Sequence, residues 1–231
     1  GTPGAVVGWH DTTTGHVYSS HWKGGPWDNT GWSTPAVLDT TTATARDVSV
    51  GGRGELVVVA WEDNRAGYKQ IFRNVSLSGG LVWDLDDAIY VAQAGSKPSA
   101  GENPSVAVAT NGDVLIAYQN DDKSYLVRSK DQGKTFQKHL LLGTGLAVNI
   151  AANDSDEGIV TWQRVLTDAS GNSQETIGTA FTFDNFGDAF GPSFMKDSAN
   201  FSGWLMSSPT ISEQWLDVFW IDTNATPPQL T

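Results

Sequence analysis

The chain has 231 residues, enough for one large domain with a sizeable core, and its 25 glycines and 10 tryptophans beside only 17% charged residues favour short strands and tight turns over a helix bundle. A net charge of −12 speaks against nucleic acid and anionic lipid as partners, and the absence of cysteine removes disulfides, thiolate metal sites and a cysteine nucleophile. No apolar run approaches the roughly 18 residues of a membrane span.

Taken in chain order, the predicted elements repeat. A β-branched run over 5–11 ends in Trp9, His10 and Asp11, and a glycine-bearing corner follows over 20–27. A short strand at 48–50 leads through a turn at 51–54 into a second run over 57–63, tipped by Trp61, with a corner at 76–83. The third unit has a strand at 105–108, then Asn111-Gly112, then a run over 114–120 tipped by Tyr118 and a corner at 129–136. The Asn-Gly pair predicts a two-residue hairpin with both central residues at positive φ. The fourth unit repeats the plan through 148–151, 159–163 with Trp162, and a corner at 182–190. A last strand at 209–211 and a run over 217–222 around Trp220 complete the series, so the chain is expected to begin and end in a second strand. The tip aromatics stand about 50 residues apart, the length of one four-stranded propeller blade. The expected units are 1–44, 45–100, 101–145, 146–203 and a partial 204–231, within a single domain over 1–231.

The most specific motif is the third corner. Ser129, Asp131, Gly133, Thr135 and Phe136 read S-x-D-x-G-x-T-F, which resembles the Asp-box of sialidases and related propellers. Ser76–Trp83 and Ser20–Trp27 keep Ser, Gly and Trp in register, Thr182–Phe190 matches with one inserted residue, and Trp61-Glu62-Asp63-Asn64-Arg65 resembles the phrase that ends the second strand in such repeats. The resemblance, to a repeat unit over nearly the whole chain, implies an all-β propeller of about four or five four-stranded blades, incomplete or closed by another chain. It also implies that the boxes stabilise the fold: the Asp carboxylate and Ser hydroxyl satisfy turn amides, Gly takes the special backbone angle and the aromatic packs beneath.

Strand order in a blade puts the loops between second and third strands on one face and the boxes on the other. Loops on one rim of a rigid scaffold are the usual place for binding. Candidate ligand residues are therefore Asp63, Arg65, Asp121 and Arg164, with Trp22 and Tyr68 as sugar-stacking aromatics beside Trp27, Trp32 and Trp204; the same polar residues could instead merely solvate strand ends. A sialidase needs an arginine cluster for the substrate carboxylate, a Tyr–Glu nucleophile pair and an acid Asp. Of the six arginines, Arg53 falls on the wrong face and Arg73 and Arg128 in third strands; Ile71-Phe72-Arg73-Asn74 only faintly echoes the family's early Arg motif and has no Pro. His10, His16 and His21 with Asp11 have no recognised metal spacing, no catalytic residue, metal or cofactor is assigned, and Asn74, Asn153, Asn200 and Asn224 begin glycosylation triplets.

The expected function is a non-catalytic, secreted or cell-surface propeller that binds glycan or extracellular protein or serves in a surface assembly; the alternative is a divergent or truncated sialidase-type glycoside hydrolase. The start at Gly1 leads to the expectation of a processed or excised chain, and an unmatched edge blade to that of self-association.

Overall fold

The computed structural model describes residues 4–25, 30–41, 45–89, 101–137, 139–153, 158–167, 170–171 and 173–182, with strand segments at 194–196, 203–205, 210–211, 216–217, 220–222 and 229–230. Every regular element among them is a β-strand. The corner expected at 182–190, Trp27, and the triplets at Asn200 and Asn224 lie outside the described residues.

Each stretch of chain folds into its own antiparallel sheet. The first holds β1 (Val6–His10), β2 (Val17–His21) and β3 (Ala36–Val37). The second holds β4 (Arg46–Arg53), β5 (Leu56–Asp63), β6 (Gln70–Ser76) and β7 (Asp87–Ala88) in sequential order. The third is β8 (Glu102–Val108), β9 (Val114–Asn120), β10 (Lys123–Ser129) and β11 (Leu140–Thr144), and the fourth is β12 (Leu146–Ala152), β13 (Gly158–Thr167), β14 (Ser173–Thr182) and β15 (Phe194–Lys196). Then β16 (Gly203–Leu205) and β17 (Thr210–Ile211) pair with β19 (Trp220–Asp222) and β18 (Leu216–Asp217), and β20 (Gln229–Leu230) adds to β19. The chain therefore does not end on a second strand: a third follows it. These up-and-down sheets are the blades of a β-propeller, with β1 at a sheet edge where the next three blades carry an innermost strand.

The second strands read as unbroken apolar runs because both faces are covered. Val58 and Ala60 point into a cluster with Val106, Val114, Ile116 and Tyr118 of the third blade, while Val59 and Trp61 point the other way, toward Val17 and Leu38 of the first. A third cluster seats Leu115 and Ala117 against Val148, Ile150 and Trp162. The core is thus a set of slabs between blades rather than one central mass.

The tip aromatics have two neighbours that repeat. Across the sheet each faces a third-strand residue, in the pairs Trp9–Tyr18, Trp61–Phe72 and Tyr118–Tyr125, whose rings stack at 5.8, 6.4 and 5.6 Å. Opposite Trp162 stands Gly178, which leaves its indole the room a side chain would take. On the other side the innermost strand bulges: Asp47 and Val48 oppose Trp61, Asn103 and Pro104 oppose Tyr118, and Ala147 and Val148 oppose Trp162. The first residue of each bulge is left-handed, with φ of 48°, 51° and 51°. Such bulges re-aim the chain and leave a residue unpaired.

An innermost strand has no sheet partner on its axial side, so its N–H groups there need other acceptors. Ser49 Oγ accepts from Val106 N at 3.1 Å, and Ser105 Oγ accepts from Ile150 N at 3.1 Å, each tying one blade to the next. Ser105→Ala orphans a buried amide and should cost about 1–2 kcal/mol, read as a lower urea midpoint at unchanged slope.

The third corner is held as follows. Ser129 Oγ accepts from Gly133 N at 2.8 Å, and Asp131 accepts from the Thr135 amide and hydroxyl and from Ser129 Oγ at 2.8, 2.6 and 2.7 Å. Gln132 and Gly133 are both left-handed, and Phe136 packs on the core between blades two and three. The second corner uses the same plan without an aspartate: Ser76 Oγ accepts from Gly80 N at 2.9 Å, and Ser78 Oγ accepts from Val82 N at 2.9 Å. In the first blade the chain departs, because Ser20 Oγ donates to Ser33 O and Trp22 bridges to Trp32, extending a hairpin in place of a tight corner. The Asn111-Gly112 turn also differs from expectation. Ala109 N bonds Asp113 O at 2.9 Å around a three-residue loop in which only Gly112 is left-handed, because the Asn111 side chain caps Asp113 N at 2.8 Å.

Burial opposes ionisation of Asp131, yet the bonds from Thr135, Ser129 and the Lys134 amide hold its carboxyl down at about 2. The unfolded value is near 3.9, so the corner's charged bonds contribute fully above about pH 4 and fade as pH falls toward 2. The gap in urea midpoint between the parent and Asp131→Asn should therefore narrow between about pH 6 and about pH 2.

Candidate functional site

The rim loops hold their charged residues in pairs. Asp63, fully buried, accepts from Trp61 Nε1 at 3.2 Å and from Arg65 Nε at 2.9 Å. Arg65 also bonds Asp86 and lies 4.1 Å over the Phe72 ring, so its guanidinium clamps loop to strand. Burial works against its charge, but Asp63 and Asp86 more than restore it and raise its pKa. Tyr68 is half-buried and its hydroxyl accepts from Gln70 Nε2 at 3.1 Å. Asp121, exposed and left-handed, makes the tight turn between β9 and β10. Arg164 is half-buried in β13, opposite Thr176. Trp22 is 6% exposed, edge-on to Trp32, which leaves little ring face for stacking. Asp63 at the end of β5 and Arg65 and Tyr68 in the β5–β6 loop belong to the second blade, whereas Trp22, Asp121 and Arg164 belong to three other blades.

Three further arginines, Arg53, Arg73 and Arg128, are engaged in the framework. Arg73 donates to Gly133 O at 2.8 Å and Lys134 O at 3.1 Å, joining the second blade to the third corner, and burial lowers its pKa. Arg128 Nε bonds Asp113 at 2.8 Å, and Arg53 Nε bonds Thr110 Oγ1 at 3.1 Å on the corner face. His16 pairs with Asp39 at 3.0 Å. Asn74 is 2% exposed with its amide on Leu38 O, which removes it as a surface glycan acceptor.

What does gather lies nearer the axis. The three bulges open a cavity of ≈ 420 Å³ lined by Asp47, Val48, Asn103, Pro104, Gln119, Leu146, Ala147, Val148, Asn149 and Gln163. Gln119 and Gln163 each follow a tip aromatic, as Glu62 does in the second blade. Gln119 is the hub: it donates to Glu102 Oε1 at 3.1 Å and Asp121 O at 3.2 Å, and accepts from Asn103 Nδ2 and Ala147 N, both at 3.3 Å. Lys69 bridges Glu62 and Glu102 at 3.3 and 2.5 Å beside it. Burial pushes the Glu62 carboxyl up, partly countered by Lys69. The lining therefore combines hydrogen-bonded amide side chains with the apolar Val48, Pro104 and Val148. The sequence reading passed over it; its one trace was the repeated Glu or Gln directly after the tip aromatic.

No protein family matches the sequence, and no curated protein does. Solved structures do share its architecture. The endo-arabinase from Bacteroides thetaiotaomicron VPI-5482 aligns with a TM-score of 0.52 and 14% identity over 98% of this chain and 88% of that one. The Trypanosoma rangeli sialidase aligns in complex with sialic acid, at a TM-score of 0.50, and as the covalent intermediate with 2,3-difluorosialic acid, at 0.51. Both are 11% identical over 96% of this chain but span only 38% of the sialidase. The propeller is a fold shared with glycoside hydrolases. At these identities the likeness concerns the fold alone.

Proposed function

We propose that this chain is a non-catalytic, secreted or cell-surface propeller that holds a glycan in the axial cup. The observation that carries the reading is the cup itself: an open hollow of ≈ 420 Å³, within the size range of small-ligand sites, lined by both amide and apolar side chains. Polar groups beside apolar ones suit a saccharide, which offers hydroxyls at its edge and C–H groups on its face. The structural likeness to an endo-arabinase and a sialidase, both enzymes that act on glycans, supports the same class of ligand. In the described residues no helix is long and apolar enough to cross a membrane.

The alternative, a sialidase-type hydrolase, needs arginines free to converge on a carboxylate. Arg53, Arg65, Arg73 and Arg128 instead hold loops, strands and corners in place. A glycan array run beside fluorogenic sialoside and arabinoside assays separates the readings. Saturable glycan binding without turnover is expected; robust sialoside turnover abolished by Arg164→Ala would overturn the non-catalytic reading. Among the described residues β1 has no strand partner on its inner edge, which further supports self-association by strand addition, since such an edge is a hydrogen-bonding template. Sedimentation should then show mass rising with concentration, and a strict monomer throughout contradicts it.

A further inference from the structure

Resting on the glycan reading, we infer that the axial cup selects uncharged saccharides and rejects sialylated and uronate-bearing ones. Among the described residues that line it none is Lys, Arg or His, and one, Asp47, is a carboxylate. Glu102, bonded to the lining residue Gln119, belongs to a Glu62–Lys69–Glu102 cluster in which two carboxylates share one ammonium. Joined to the wall through Gln119, this cluster adds negative potential to the cup. Among the described lining residues an anionic sugar finds no cation to replace whatever water its carboxylate loses on binding.

The polar groups that do line the cup have the opposite preference. An amide side chain both donates and accepts, as does a sugar hydroxyl, whereas a carboxylate accepts only. Asn149 is half-buried with its Nδ2 on Ala147 O, an arrangement that turns its carbonyl oxygen away from that bond, and Asn103 is exposed at the opposite lip. Asn103 and Ala147 also hold left-handed backbone without glycine, a strain that clusters at ligand sites. The cup is thus suited to recognise hydroxyls.

The test is calorimetric titration of the whole chain with cellotriose, maltotriose and arabinotriose, and with 3′-sialyllactose and trigalacturonate. At least one neutral trisaccharide should bind at least about tenfold more tightly than either acid, a difference of one unpaired charge-assisted contact. Its affinity should change less than about twofold between low and high salt, since no ion pair is screened. Asn149→Ala should weaken it about tenfold in protein that stays folded at the titration temperature, and Leu146→Trp, at an exposed lining position, should abolish it by filling the cup. Tighter binding of either acid overturns the inference and leaves the glycan reading standing. Binding of no sugar in either class overturns both.

Discussion

Trp61→Ala should lower the stability of the protein by about 3–5 kcal/mol, the range for a fully buried tryptophan truncated to alanine. Trp61 is 0% exposed and fills the slab between the first two blades with Val17 and Leu38. Its ring stacks on Phe72, and its Nε1 donates to Asp63 Oδ2, so truncation leaves a cavity and strips a bond from a fully buried carboxylate. The bulge at Asp47 and Val48 also loses the side chain it bends around. Guanidinium unfolding of this variant beside Leu85→Ala, at an exposed site, checks the claim. The control should stay within about 0.5 kcal/mol of the parent.

Gly51→Ala is expected to cost about 2–3 kcal/mol, the upper part of the range for overpacking. At a position with ordinary backbone angles alanine usually stabilises slightly by restraining the unfolded chain. Here a methyl would sit 2.8 Å from Val106 Cγ1 and 2.9 Å from Val106 O, where the innermost strands of blades two and three pass closest. The side chain can rotate away but the carbonyl cannot, since it belongs to the strand that also donates its Val106 N–H to Ser49 Oγ. The double variant Gly51→Ala/Val106→Ala should therefore remain less stable than Val106→Ala alone. Recovery to the Val106→Ala level would place the obstacle in the side chain.

The blade plan was legible because its two strongest signals are local. A run such as 57–63 is apolar throughout because neighbouring blades cover both its faces, and a corner such as Ser129–Phe136 carries its own hydrogen-bond donors and acceptors in sequence. At the first corner, where Ser20, Gly24 and Trp27 match the pattern in spacing, the Ser20 hydroxyl donates to Ser33 O instead of holding a glycine amide. The cup was not legible, because its bulges at Asp47, Asn103 and Ala147 use left-handed residues with no glycine to announce them. Charge drew attention to Asp63 and Arg65 in the rim loop, yet that charge is spent within the loop and on Asp86. Third-strand partners such as Phe72 and Tyr125 become visible only once register is known.

The account turns on where a sugar sits. Amide chemical shifts of the isotopically labelled chain, followed during titration with the tightest-binding neutral trisaccharide, locate that place directly. The account predicts that the shifts concentrate at Asn103, Ala147 and Asn149, around the axial mouth. Shifts confined to the rim at residues 63–68 and 121–122, with the mouth unmoved, would contradict it.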